Sequence, residues 1–229
     1  MLNKIKALLR FKGYKLFTRL YELNIVGLRS KSVVPNRFDD ELHVFYKSSP
    51  SKWEYHIFKI TTDPGTFWLR NPMQPKGTAI VTEGQNIDSH AIGLHRGQYK
   101  ALVQAKPISI MRDYDRNATL DFYNGKKETG HYGINVHRAN KVGVTKTVDK
   151  NSAGCQVFEN ASDFEVFMKL CEQHKARLGN LFTYTLIDFR TVRRRQLRMT
   201  AYFLGAILGL GVAGHFYFNT KQKNKLLHE

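Results

Sequence analysis

Apolar and polar residues alternate through most of the middle of the chain, which is the pattern of half-buried β-strands. Turn-forming groups such as Asp63-Pro64-Gly65 and Asn124-Gly125 separate these stretches. The pattern predicts a mainly β (α+β) domain over residues 23–189. The strand-like stretches cover residues 41–46, 55–60, 101–103, 108–110, 134–137 and 182–187.

One internal helix is predicted to follow Ser162. Ser162 and Glu165 have the spacing of a capping box, and Gly179 stands where helices commonly end. The apolar face is expected to pack against the strands, which makes Cys171 a core residue. That face consists of Phe164, Phe167, Met168 and Cys171.

Residues 1–22 form a basic amphipathic segment. Leu2, Ile5, Leu8 and Leu9 recur at helical spacing, with lysine and arginine between them. Two structures fit this pattern: a helix lying on an anionic membrane, and a surface helix docked on the domain through its apolar stripe. Gly13 interrupts the pattern early, which favours the docked helix. No uninterrupted apolar stretch is present, so we expect no secretory signal here.

The pattern changes after residue 190. Residues 199–220 contain no charged residue and are mostly apolar, which predicts a transmembrane helix because a bilayer core requires roughly 20 helical residues. Residues 190–198 form a basic juxtamembrane linker, and residues 221–229 form a basic tail. Gly205 and Gly209 provide a small-residue face through which a homo-oligomer could form. We therefore expect membrane anchoring by the C-terminal helix.

The net charge is +17, from 36 Lys and Arg against 19 Asp and Glu. Such an excess predicts an anionic partner. Nucleic acid, anionic lipid and the acidic polymers of a bacterial envelope all have suitable chemistry. Charge alone does not select among them.

His137 and Cys155 are candidates for chemistry. His137 ends an apolar strand, and Cys155 follows it by eighteen positions, directly after a Ser152-Ala153-Gly154 turn. A thiol nucleophile reacts as the thiolate, so an imidazole close to it can act as the base. A glycine before the cysteine lets the backbone turn sharply.

These two elements resemble the signature of the L,D-transpeptidase (YkuD-type) catalytic domain. In that family a Gly-Ile-His-Gly-like strand is followed, after a loop, by Ser-His-Gly-Cys. Here residues 133–138 correspond to the strand and residues 152–156 to the second element, and residues 62–67 resemble the family's Thr-Pro-x-Gly entry. The resemblance covers roughly residues 40–190 and implies a β-sandwich or barrel with a packed helix. Ala153 and Gln156 depart from the pattern, so the match is divergent.

The resemblance implies roles for individual residues. Cys155 attacks the carbonyl of a peptidoglycan stem peptide, and His137 takes the thiol proton and returns it to the leaving amine. The backbone N–H groups of Gly154 and Cys155 stabilise the oxyanion. Ser152 either orients the turn or forms a hydrogen bond near His137. Arg138 is a candidate for binding a substrate carboxylate, with an ordinary surface charge as the alternative.

Other polar residues suggest further sites. His131 precedes His137 by an even number of residues, so a regular strand would place both on one face and make His131 a substrate-binding candidate. A zinc site built from His95, His131 and His137 lacks any standard ligand spacing, so we predict no metal or cofactor. The remaining candidates are acidic residues that lack EF-hand spacing and are expected to be solvated. They are Asp113, Asp115 and Asp121.

The sequence thus predicts a membrane-anchored cysteine acyltransferase or peptidase that acts on peptidoglycan stem peptides. Basic residues are more numerous before residues 199–220 than after them, which places the domain on the cytoplasmic side by the positive-inside tendency. A phage lysis enzyme or virion-associated enzyme would reconcile that orientation with a cell-wall substrate. The alternative is a non-enzymatic, membrane-bound structural protein of a virion or envelope that binds nucleic acid or anionic lipid through its basic surface.

Overall fold

The computed structural model describes residues 1–122 and 125–190 of the chain. Two units are distinguished, Met1–Asp188 and Phe189–Glu229, and only residues 189–190 of the second are described. The transmembrane segment predicted at 199–220, the basic tail at 221–229 and nearly all of the linker at 190–198 lie outside the described residues. Within the described ranges, every helix is too short or too polar to cross a bilayer.

Eleven strands and three α-helices make up the described part of the chain, so the expectation of a mainly β fold with helices is confirmed. The elements are α1 (Leu2–Lys12), β1 (Asn24–Arg29), β2 (Asp40–Lys47), β3 (Trp53–Thr61), α2 (Thr66–Arg70), β4 (Thr78–Val81), β5 (Gly84–His95), β6 (Tyr99–Gln104), β7 (Ile108–Asp113), β8 (Lys127–Gly130), β9 (Val136–Arg138), β10 (Gln156–Phe158), α3 (Ala161–Leu178) and β11 (Phe182–Asp188).

Eight of the strands form a closed barrel in the order β1-β11-β5-β6-β9-β10-β3-β2. Two of its pairings are parallel, β1 with β11 and β9 with β10, and the others are antiparallel. Side chains alternate between the two faces of a strand, so every second residue points into the barrel. The buried interior includes Ile25, Val44, Ile60, Val136 and Phe158.

A second sheet has three strands in the order β4-β7-β8. Ile80 of β4 packs in a small buried cluster with Leu69 of α2 and with Leu120 and Phe122. Residues 120–122, which precede the turn-forming Asn124-Gly125, form no strand, and β8 pairs with β7.

Helix α3 covers the barrel through its apolar face. Phe164, Phe167 and Cys171 are buried in the main core, as the periodicity predicted. The helix begins two residues earlier than expected, because Asn160 is the N-cap and its side chain accepts a hydrogen bond from the Ser162 N–H at 3.0 Å. The predicted cap at Ser162 is therefore wrong.

Helix α1 lies against the domain. Ile5 and Leu9 are each 1% exposed, and the Lys6 ammonium group lies 3.6 Å from the centroid of the Trp53 ring. Lys12 forms an ion pair with Glu83. The apolar stripe of the basic N-terminal segment is thus occupied by contacts within the protein.

Candidate functional site

Strands β9 and β10 place the two candidate reactive side chains on one face of the sheet. In the parallel pairing His137 lies opposite Val157, and Gln156 lies opposite Val136. Val136 and Phe158 point into the barrel core. His137 and Cys155 therefore lie on the opposite, outer face, with Cys155 just before β10 and about two residues along the strand direction from His137.

The turn before Cys155 is held by its own serine. Ser152 Oγ donates a hydrogen bond to the Cys155 carbonyl at 2.9 Å and accepts one from the Gly154 N–H at 3.2 Å. Ser152 is 1% exposed. Its side chain therefore fixes the turn, which was one of the two roles predicted for it, and does not reach His137.

Gly154 is required by this turn. Its φ is +114°, in the region that favours glycine, and a Cβ atom there would overlap the carbonyl oxygen of Ala79 in β4. The sequence predicted the N–H groups of Gly154 and Cys155 as oxyanion donors, and the Gly154 N–H here donates to Ser152 Oγ.

A second segment supports the turn from outside. The Gly65 N–H donates to the Ser152 carbonyl at 2.9 Å. A Cβ atom at Gly65 would overlap the backbone of Asp149, so only glycine permits this approach. Residues 62–67, which resemble a family element in sequence, thus contact the turn that carries Cys155.

The Cys155 thiol is partly exposed and forms two weak polar contacts. The Asn135 N–H donates to Sγ, and Sγ–H donates to the Gly133 carbonyl, both at 3.5 Å. Burial raises the pKa of the Cys155 thiol, and the Asn135 N–H and the charge of Arg96 oppose this increase. Cys155 is therefore a neutral thiol at pH 7.

His137 has a defined proton arrangement. Its Nδ1 lies 2.8 Å from the Arg138 carbonyl oxygen, which can only accept, so Nδ1 carries the proton. The lone pair of the neutral ring is then on Nε2. Burial lowers the pKa of His137 to about 3, and the neighbouring His95 contributes to the decrease. The ring is thus neutral at pH 7.

Two further residues hold His137 in place. The His95 ring stacks on the His137 ring, with centroids 4.1 Å apart and an interplanar angle of 22°. Asn135 Oδ1 accepts from the Gln104 N–H at 3.0 Å, so its Nδ2 faces His95 Nδ1, also at 3.0 Å. His95 Nδ1 is therefore an acceptor, and burial lowers the pKa of His95 as well.

The structure brings His137 and Cys155 to one face without bonding them to each other. Among residues 1–122 and 125–190, the hydrogen-bond partners of the thiol are Asn135 and Gly133 rather than His137. Catalytic hydrogen bonds are often long in a free enzyme and shorten when substrate binds.

Arg138 lines an open groove of about 770 Å³ between β6 and α3. Its guanidinium group lies 4.3 Å from the centroid of the Tyr99 ring. The Tyr99 hydroxyl donates to the Arg138 carbonyl at 3.3 Å, the same oxygen that holds His137. The groove is further lined by Phe164, Glu165, Met168 and Lys169.

His131 does not have the position that the sequence predicted. Strand β9 begins only at Val136, and Gly133 has a φ of +69°, which interrupts any extended strand between the two histidines. His131 is exposed in the connection between β8 and β9. The even spacing therefore does not bring His131 and His137 to one face.

Arg96, Asn135 and Gln104 also lie at this site and were not among the residues predicted from the sequence. Arg96 is exposed in the β5–β6 turn with a φ of +50°, and its charge affects the pKa of Cys155 and of His137. Asn135 carried a detectable signal, because it is a polar residue two positions before His137 in an apolar stretch. Arg96 and Gln104 carried none, since Arg96 lies in the β5–β6 turn and Gln104 at the end of β6, both distant in sequence from His137.

The zinc arrangement considered from the sequence is absent from the described ranges. His95, His131 and His137 do not form a group of three ligands, and the one such group found there consists of Asp113, Asp115 and Asp121.

Comparison of the chain with protein-family models, with curated proteins and with solved structures found no match.

Proposed function

We propose that this protein is a cysteine acyltransferase that acts on peptidoglycan stem peptides through a thioester on Cys155. The observation that carries the proposal is the bond between His137 Nδ1 and the Arg138 carbonyl at 2.8 Å. It leaves Nε2 as the proton acceptor on the face that also carries the partly exposed thiol.

The reaction begins from a neutral pair. His137 Nε2 takes the thiol proton as Sγ forms a bond with the carbonyl carbon of the substrate amide, and the Cys155 N–H faces the developing oxyanion. Collapse of the tetrahedral intermediate breaks the C–N bond, and His137 returns the proton to the leaving amine. An acceptor amine or water then attacks the thioester and regenerates the thiol.

The low pKa of His137 and the raised pKa of Cys155 leave both groups neutral before the reaction begins. Because neither group is charged at rest, the thiolate forms only during attack on the carbonyl carbon. The imidazolium that results is stabilised by the Arg138 carbonyl, which already accepts its Nδ1 proton. The site is therefore suited to an acyl donor bound in position rather than to rapid reaction with small electrophiles.

The finer fold assignment is also a proposal. A divergent L,D-transpeptidase-like domain would have three features that are found here. They are a β-barrel with a packed helix, a histidine (His137) before the cysteine (Cys155) in the sequence, and contact of residues 62–67 with the turn that carries Cys155. Ala153 and Gln156 depart from that pattern. Gln156 points into the barrel, where its Oε1 accepts from the Tyr184 hydroxyl at 2.6 Å, so its role is structural.

The test is mass spectrometry of muropeptides incubated with the full-length protein. Cross-linked products would identify a transpeptidase, and shortened stems would identify a hydrolase. The matched control is Cys171→Ala, because Cys171 is fully buried in α3, whereas Cys155→Ala removes the nucleophile. Equal activity of wild type and Cys155→Ala would overturn the proposal.

Binding of substrate carboxylates by arginine provides a second test of the proposed function. Arg138 and Arg96 are the two arginines beside the site, and each is suited to bidentate binding of a carboxylate. We expect Arg96→Gln or Arg138→Gln to raise KM more than it lowers kcat. An unchanged KM in both variants would exclude these residues from substrate binding.

The net charge of +17 supports a second candidate function. This is a membrane-bound structural protein that binds nucleic acid or anionic lipid without catalysis. It predicts binding to duplex DNA or to anionic vesicles that weakens steeply with salt and is unaffected by Cys155→Ala. Membrane anchoring through residues 199–220 is common to both candidates, and alkaline extraction of membranes from expressing cells tests it.

A further inference from the structure

We propose that the segment from the end of β7 to Asp121 binds a hard divalent cation, with calcium preferred, through the carboxylates of Asp113, Asp115 and Asp121. This site is separate from the reactive cysteine and does not depend on the proposed enzymatic function. The sequence predicted that the three residues are solvated acids, and the burial of Asp113 contradicts this prediction for that residue.

The three carboxylates converge. One oxygen from each lies within 4.8 Å of the others, a spacing that suits ligands of a single ion. They differ in exposure: Asp113 is buried, Asp121 is half-buried and Asp115 is exposed. A site with one buried ligand and one open side allows an ion to enter and keep some of its water.

Asp113 provides the independent evidence for a ligand. The residue is 0% exposed, and within the described ranges its Oδ1 atom has no hydrogen-bond partner. Leaving a buried carboxylate oxygen unpaired is costly, so such atoms usually have a partner such as an ion or a water molecule. The other oxygen, Oδ2, accepts from the Asp121 N–H at 2.9 Å, which draws the Asp121 backbone towards Asp113.

The chemistry of the segment selects the class of ion. Oxygen-bearing side chains occupy every second position from Asp113 to Asp121, and histidine and cysteine are absent from it. Calcium accepts several carboxylate, carbonyl and water oxygens in flexible geometry, whereas magnesium demands a stricter octahedron and zinc prefers nitrogen and sulfur. The side chains at alternate positions are Asp113, Asp115, Asn117, Thr119 and Asp121.

Electrostatics favours the same conclusion. Three carboxylates within 4.8 Å repel one another, most strongly where one is buried. A divalent cation cancels most of this charge. The nearby Arg112 is already bonded to Glu128, at 3.1 Å, and to the Gly77 carbonyl, so its guanidinium group is occupied elsewhere.

The site has a short connection to the reactive cysteine. Asp113 pairs with Thr78 in the β4–β7 ladder, and the next residue, Ala79, presents its carbonyl oxygen to Gly154. An ion on Asp113 would therefore hold the end of the strand pair against which the nucleophile turn is packed.

Titration calorimetry on the full-length protein tests the proposal. The protein is purified in a mild nonionic detergent, stripped with a chelator, and titrated with calcium chloride and separately with magnesium chloride. We expect one calcium ion per chain, binding more tightly than magnesium, and a melting temperature that rises with calcium concentration.

Three variants test whether the ion binds at the proposed carboxylates. Asp115→Asn is the first choice because its side chain is exposed, and we expect it to lower calcium affinity at least tenfold. The double variant Asp115→Asn/Asp121→Asn should abolish binding. Asp163→Asn, a change of the same chemistry at the start of α3, should bind as the wild type does.

Two outcomes would overturn the proposal. One is no heat of binding and no change in melting temperature up to about 10 mM calcium or magnesium, which is the weak end of known calcium modules. The other is unchanged affinity in the double variant, which would place the ion elsewhere. Circular dichroism of each variant in chelator confirms that it is folded, and Asp115→Asn alone decides the question if the double variant is not.

Discussion

The imidazole rings of His95 and His137 are stacked, with centroids 4.1 Å apart. Two rings at this distance cannot both be protonated without strong repulsion, and Arg96 adds a further positive charge nearby. His95 has Nδ1 bonded to Asn135, and His137 has Nδ1 bonded to the Arg138 carbonyl. Burial keeps His137 neutral, and the stack adds to this effect and limits rotation of the ring.

The variant His95→Phe tests this arrangement. The phenyl ring preserves the stacking area but removes the neighbouring charge and the bond to Asn135. Because His95 is one of the causes that lower the pKa of His137, we expect that pKa to rise from about 3 while staying below that of a free histidine, since burial is the larger cause. NMR titration of the His137 ring measures it.

Activity in His95→Phe should also fall, through kcat more than KM, because a positioning residue is lost. Exposed His131 provides the matched control, and His131→Phe should leave both the titration and the rate unchanged. A His137 pKa that does not move in His95→Phe would show that the stack has no electrostatic role.

Removal of the proposed base should be severe. His137→Ala is expected to lower the rate of thioester formation about 10²- to 10⁴-fold, the usual contribution of a positioned base. Single-turnover measurement with a muropeptide substrate reports this step directly. Retention of more than a tenth of the wild-type rate would show that another group takes the proton.

The reactivity of Cys155 should depend on pH in a specific way. Because its pKa is raised, thiolate is scarce at neutral pH and increases as the pH approaches and passes the raised value. Alkylation by iodoacetamide should therefore rise about tenfold per pH unit between pH 6 and 8, without a plateau. Mass spectrometry of the modified peptide distinguishes Cys155 from buried Cys171.

A plateau in alkylation near pH 6 would instead indicate a preformed thiolate–imidazolium pair. That result would contradict the neutral resting state described for this site. The Cys171→Ala variant should give the same profile as the wild type.

Gly154→Ala tests the nucleophile turn. The added Cβ would meet the Ala79 carbonyl, and the φ of +114° is unfavourable for alanine, so we expect a loss of about 1–3 kcal/mol in the free energy of unfolding and a large loss of activity. Urea denaturation measures the first effect. Gly97→Ala is the matched control, since Gly97 also has a positive φ, +71°, but open space around it.

Local patterns in the sequence predicted the β-rich class and a helix that follows Ser162, which covers most of the observed α3, because alternation and helical periodicity reflect burial directly. They placed His137 and Cys155 on neighbouring elements. Local patterns could not predict which residues hold His137 and Cys155 in place, because His95, Gln104 and Gly65 come from strands and loops that are distant in sequence. Burial of Asp113 was equally hidden, since it depends on pairing of β7 with β4.

Closure of the barrel by β11 has a consequence for how the protein folds. Strand β11 lies between β1 and β5, so it joins the first strand of the barrel to a strand from the middle of the sequence. Until residues 182–188 have been synthesised, β1 and β5 each have an unpaired edge, and the nascent chain carries two surfaces prone to aggregation. Barrel closure is therefore a late, non-local event, and folding should be slow because the pairing partners are far apart in sequence.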